Sequence, residues 1–194
     1  AFGFIRRNDA MGVNFSRNTL TSDITWARTF SNSFNFSQEY NGDGHVVRSG
    51  LFWRTSTNFN NSMAFNSRLS YFPHRWDDQN SQGNGDFRIH DRWSGAMSFG
   101  TDSSKILSVS IGTGAQQEDR GDWTYQGQLG VTFKPSDRIS FEVDAIYKNR
   151  DGWLLYQGGR DFTTFSAEEW QPQVAMDVFL SARHQLRLTM QWAG

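Results

Sequence analysis

With 194 residues, a mean hydropathy of −0.65 and no apolar run longer than Trp153 to Tyr156, the chain has no segment able to cross a membrane as a helix, which takes roughly 18 apolar residues. Its 19 basic and 20 acidic residues give a net charge of −1 with no basic block, so nucleic acid is not an expected partner. The absence of Cys excludes disulfides, thiolate zinc sites and a thiol nucleophile.

The 17 Phe, 8 Trp and 18 Gly beside only 3 Pro suit sheets and turns better than helices. No shift in composition marks a second domain, so residues 1–194 are expected to form a single all-β domain. Ala1 to Arg7 lacks the basic start and apolar centre of a signal peptide. The expectation is that a leader has been removed or that the chain begins inside a longer polypeptide.

In chain order, strands near the length of one crossing are predicted around Phe2–Ile5 and Val13–Phe15. From Leu20 to Tyr40 one parity carries Leu20, Ile24, Trp26, Phe30, Phe34, Phe36 and Tyr40, interrupted on the same parity by Arg28, Asn32 and Gln38. This stretch predicts a single strand projecting past a membrane, with a turn near Ser31–Ser33 as the alternative. Val47, Leu51 and Trp53 then alternate with Arg48 and Arg54, and Met63, Phe65, Leu69 and Tyr71 with Asn66, Arg68 and Ser70. The same period of two runs through Trp93, Met97 and Phe99, then Leu107, Val109 and Ile111, then Leu129, Val131 and Phe133. It continues in Ile139, Phe141, Val143 and Tyr147 against Glu142, Asp144 and Lys148, and in Val174, Met176, Val178 and Leu180 against Gln173 and Asp177. Leu186, Leu188, Met190 and Trp192 close the series against Arg187. A period of two is that of a strand with one apolar and one polar face.

Short connections at Asn58–Asn61, Asp102–Ser104, Pro135–Asp137 and Ala182–His184 alternate with longer ones at Arg75–His90, Gln117–Gly121 and Arg150–Glu168; Asn41–Gly44 is short on the long side. An up-and-down meander puts alternate connections at opposite ends, and tight turns facing larger loops are the habit of outer-membrane barrels. The expected fold is therefore an antiparallel up-and-down transmembrane β-barrel, with about ten or eleven strands in these residues and further strands upstream completing it. Trp53, Tyr71, Trp93, Trp123, Tyr147, Trp170 and Trp192 are candidates for aromatic girdles at the two interfaces. Arg48, Arg54, Arg68, Glu142, Asp144, Asp177 and Arg187 are candidates to line a lumen, with ordinary cross-strand pairing as their plain alternative. Periodicity alone leaves open a soluble antiparallel barrel or sandwich, apolar face inward, that binds a glycan or small ligand through its aromatics.

Three stretches add a resemblance. Tyr147-Lys-Asn-Arg-Asp-Gly-Trp-Leu, Gln157-Gly-Gly-Arg-Asp-Phe-Thr-Thr-Phe and Phe179-Leu-Ser-Ala-Arg-His-Gln-Leu-Arg-Leu-Thr-Met-Gln-Trp, together with Phe2-Gly-Phe-Ile-Arg-Arg-Asn-Asp, resemble the C-terminal barrel region of large proteobacterial outer-membrane proteins. Those proteins carry a family-nine-like carbohydrate-binding module near the N-terminus, and their barrel is a domain of unknown function. The resemblance covers most of the chain, the middle strands by pattern only. It implies that the chain is the last part of a longer polypeptide, and it transfers no catalytic residue and no glycan role to any position here.

Chemistry-bearing residues are sparse. His45, His74, His90 and His184, two of them flanking a loop with Asp77, Asp78, Asp86 and Asp91, match no metal-ligand spacing. Asn41-Gly-Asp-Gly and Asn84-Gly-Asp have the composition of calcium loops without their ligand spacing, and turn chemistry accounts for them. No nucleophile-elbow motif accompanies the many Ser residues. The sequence thus predicts no enzyme, no metal and no cofactor. It predicts a channel, transporter or docking scaffold of the bacterial outer membrane, in contact with lipid and with another envelope or surface protein as a candidate partner.

Overall fold

A computed structural model describes residues 10–77, 85–159, 161–181, 184–192 and 194. The chain is all-β. Its strands are β1 (Met11–Ile24), β2 (Ala27–Tyr40), β3 (Val46–Phe59), β4 (Ala64–Phe72), β5 (Arg75–Asp77), β6 (Phe87–Ile89), β7 (Arg92–Gly100), β8 (Leu107–Gln117), β9 (Trp123–Ser136), β10 (Ile139–Gly158), β11 (Asp161–Ser181) and β12 (His184–Gln191). Ten of them form one antiparallel sheet in chain order, a meander, while β5 and β6 pair as a separate hairpin within the β4–β7 connection. Among the described residues β1 pairs only with β2 and β12 only with β11, so the ladder has two edges.

The alternation is what makes the ladder. Residues opposite each other in antiparallel strands share a face. The register puts Phe34, Trp53 and Leu69 side by side, and likewise Phe99, Ile111 and Leu129. Slipping any strand by one residue would exchange its two faces. The sheet is a single layer, since the only buried hydrophobic residues among those described are Ala27, Ile89 and Ala175, and no large side chain is fully buried.

Two expectations about connections are corrected. The stretch Leu20–Tyr40 is not one projecting strand, nor does it turn at Ser31–Ser33; the chain reverses at Thr25–Trp26, where Ile24 opposes Ala27. A two-residue turn inverts parity across itself. Leu20 therefore stands opposite Ser31 on the polar face, whereas the odd-numbered Phe15 and the even-numbered Phe36 share the apolar one. Within Arg150–Glu168, predicted as a loop, most residues continue the ladder, with Trp153 opposite Phe165 and Tyr156 opposite Phe162. A register shift between Arg150 and Trp153, with Gly152 at a φ of 71°, breaks the alternation there and gives the segment the look of a turn. The predicted strand at Phe2–Ile5 lies outside the described residues, as do Asp78, Asn84 and Ala182.

A polar groove and an open apolar face

The seven charged residues singled out from the sequence all stand on one face. Arg48 opposes Glu39, Arg54 opposes Arg68, Glu142 opposes Thr132, Asp144 opposes Gly130, and Asp177 opposes Arg187. Only one pair among them closes as an ion pair with good geometry: the Arg187 Nε and Nη2 groups donate to the two Asp177 carboxylate oxygens, each at 2.9 Å, and Gln185 adds a donor at 2.8 Å. This ties β12 to β11.

The polar face is concave. A cavity of about 560 Å³ is lined from Ser31 and Ser33 on β2, through Arg54, Arg68, Ser98 and Gln128, to Lys148 on β10. A second, of about 780 Å³, is shared by Gly12, Asn14, Ser37 and Glu39 of the first two strands with Arg75 and Asp77 of the small hairpin. At its other side the hairpin reaches β11, where Phe87 meets Phe162 with ring centroids 4.8 Å apart. The β5–β6 hairpin also meets the β2–β3 connection, His45 lying 3.2 Å from Asp86 and stacking on Trp76 at 4.8 Å. It thus lies over the long-connection end of the groove and joins parts that are several strands apart in the ladder.

Under the hairpin the charges are dense. Burial, and next the neighbouring Arg92 guanidinium, push the Arg75 pKa below its ordinary value, while Asp119 and Asp77 hold it up. Arg92 pairs with Asp119 at 2.7 Å and lies over the Phe72 ring, and Phe72 meets Phe52 edge-on at 5.5 Å.

The opposite face is apolar and open. Trp53, Leu69, Met97, Ile111, Leu129, Val143, Trp170 and Leu188 each keep 43–55% of their surface accessible. Two of the polar residues that interrupt this face are held by hydrogen bonds: Asn32 Oδ1 accepts from Trp53 Nε1 at 3.1 Å, and Arg28 donates to the Asn60 carbonyl and the Ser62 hydroxyl.

All seven aromatic girdle candidates stand on this apolar face, Trp53 two residues inside its border. The other six run along one border of the band rather than along two. Tyr71 on β4 opposes Trp93 on β7 and Gln117 on β8 opposes Trp123 on β9. Tyr147 on β10 opposes Gly127, four residues further along β9, and also Trp170; Trp192 bonds to Pro172, two residues beyond Trp170. From β4 onward the other border is made of Phe and aliphatic residues and drifts in step, while at the β1–β2 turn Trp26 stands at that end beside Phe30 and Phe59. Phe65, Phe99 and Ile111 share a row; Leu107, four residues lower, opposes Phe133; and Val178, two residues beyond Met176, opposes Leu186. Both borders descend by about six residues in the six strand-to-strand steps from β4 to β12.

Of the remaining candidates, the Asn41 side chain accepts from the Asp43 and His45 backbone amides at 3.1 and 2.9 Å, with Gly44 at a φ of 77°, which is turn chemistry. No three potential metal ligands gather among the described residues. One Ser–His contact, Ser181 Oγ to His184 Nδ1 at 2.8 Å, closes the exposed β11–β12 turn. Sequence reasoning missed Glu118 and Thr124, joined by a buried hydrogen bond of 2.5 Å, and the Arg92–Asp119 pair, because nothing local marks residues that meet only through register.

The molecule is an antiparallel β-sheet protein with one grooved polar face and one open apolar face. Comparisons with protein-family models, with curated proteins and with solved structures give no match.

Proposed function

We propose that the chain forms the wall of a bacterial outer-membrane β-barrel, with the apolar band against lipid and the groove as its water-filled interior, serving as a channel or transporter or as a docking scaffold for another envelope protein. The observation that carries this is the drift of the band. A descent of one residue, about 3.3 Å, per strand spacing of about 4.8 Å makes the band level only if the strands tilt by about 35°. That is the tilt of membrane barrels, roughly 35–45°. The band spans Phe65–Tyr71 on β4, Leu186–Trp192 on β12 and Trp123–Phe133 on β9. Seven to eleven residues of a strand so tilted rise about 19–30 Å, a range that brackets the ~25 Å apolar belt of such barrels.

The placement of the faces supports the same reading. A soluble barrel or sandwich would turn Trp53, Leu69, Leu129 and Leu188 toward its centre, yet they stand on the face away from the groove. An open edge is untenable in lipid. The edges β1 and β12 are accordingly joined in the proposed barrel, directly or through further strands, as the resemblance to the barrel region of longer proteobacterial proteins implies. The test is extraction and electrophoresis: the protein partitions with outer membranes, needs detergent to leave them, and migrates differently before and after boiling. Recovery as a stable monomer from buffer without detergent overturns the proposal.

A further inference from the structure

We propose that the middle of the groove is a binding site for a small hydroxylated organic anion, held by Arg54, Arg68 and Lys148. Among the described residues these three are the only charged side chains lining the 560 Å³ cavity, and no described carboxylate lines it. Arg54 and Arg68 are direct cross-strand partners on β3 and β4, and like charges so placed repel. No acid among the described residues pairs with them. Among the described residues Arg54, Arg68 and Lys148 take part in no ion pair, while Asp177 is engaged by Arg187, Asp119 by Arg92 and Glu169, the cross-strand neighbour of Lys148, by Arg150.

Two arginines opposite each other on one cavity wall can offer paired N–H donors that match a carboxylate or phosphate, which would convert their repulsion into shared attraction. The rest of the lining says what the anion carries. Ser31, Ser56, Asn66, Ser98, Gln126 and Gln128 offer hydroxyl and amide groups, and no aromatic ring among the described residues lines the cavity, so the complement is a solute rich in hydroxyls rather than an apolar one. The volume lies within the roughly 300–1,000 Å³ usual for small-molecule sites. The site stands on the groove and does not require lipid on the other face.

The test uses the purified full chain, in whatever detergent or buffer keeps it folded, with galacturonate, galactose and glucose 6-phosphate as probes and sodium chloride at matched ionic strength. Galacturonate is expected to raise the melting temperature and to bind by calorimetry, glucose 6-phosphate likewise if the site accepts phosphate, and galactose to do neither. Arg68→Gln is expected to melt higher than the parent without any ligand, because the repulsion is gone, and to lose at least tenfold in galacturonate affinity. Arg54→Lys with Arg68→Lys, which keeps the charge, retains part of the response and guards against a fold defect. The proposal is overturned if galacturonate has no effect, if chloride or galactose reproduces it, or if Arg68→Gln responds as the parent does. Binding by a protein that needs no detergent would sink the membrane reading and leave this site standing.

Discussion

The two faces of the ladder are made by the same ten strands, one residue out of phase, and they differ in what each still needs. The polar face is provided for from within: Arg187 holds Asp177, Arg150 holds Glu169, and the β5–β6 hairpin covers its long-connection end. On the apolar face the rings and aliphatic chains of Trp53, Met97, Ile111 and Leu188 have no layer above them. The lesson is energetic. Burying a large apolar side chain is worth about 1.5–3 kcal/mol, and a single sheet gains little of that from its own packing. The free energy that holds this ladder together must come largely from whatever covers the apolar face, and in the proposed barrel that cover is lipid.

Adjacent residues of β9 break or sharpen that contrast most directly. Leu129 lies on the open face and Gln128 lines the groove. In the proposed barrel, Leu129→Arg is expected to cost about 2–4 kcal/mol of folding stability, as a cation facing hydrocarbon does, whereas Gln128→Arg assembles as the parent does. The fraction of the heat-modifiable folded form reads this out, and equal assembly of the two variants would erase the distinction between the faces.

A smaller effect is expected where the groove is covered. Phe162→Ser removes the ring on which Phe87 rests and should loosen the β5–β6 hairpin while leaving the ladder intact. Trypsin cleavage after Arg88 then rises severalfold with the far-ultraviolet strand signal unchanged. Cleavage at the parental rate would mean that the stack of His45 on Trp76 holds the hairpin without help.

The smallest concerns the short-turn end. Asp102 accepts hydrogen bonds from the Ser104 hydroxyl at 2.7 Å and the Ser104 amide at 2.9 Å, and the side-chain bond, followed by the backbone bond, lowers its pKa. Because the carboxylate is favoured in the folded turn, its contribution is present above the ordinary carboxylate range and disappears as pH falls through the depressed native value. Ser104→Ala should therefore lower the denaturation midpoint slightly near neutral pH and make no difference well below pH ~3. A difference that persists in acid would assign the effect to the turn backbone instead.

The sequence by itself determined that strands of two-residue period make up most of the chain and, along any one strand, how the side chains divide between two faces. Which face a residue takes along one strand is a local matter of odd and even positions, so Arg54 and Trp53, or Asp144 and Val143, separate without knowledge of the neighbours. Tertiary structure alone decided what depends on register between distant segments. It placed the reversal at Thr25–Trp26, where unbroken parity concealed a turn, and it carried strand pairing through Trp153 and Phe165, where a bulge concealed the ladder. It also set Arg54 against Arg68, slanted the apolar band across the rows and made the polar face the concave one. Alternation has the same form whether a sheet curls toward its polar or its apolar side, and only the pairing of whole strands chooses between them.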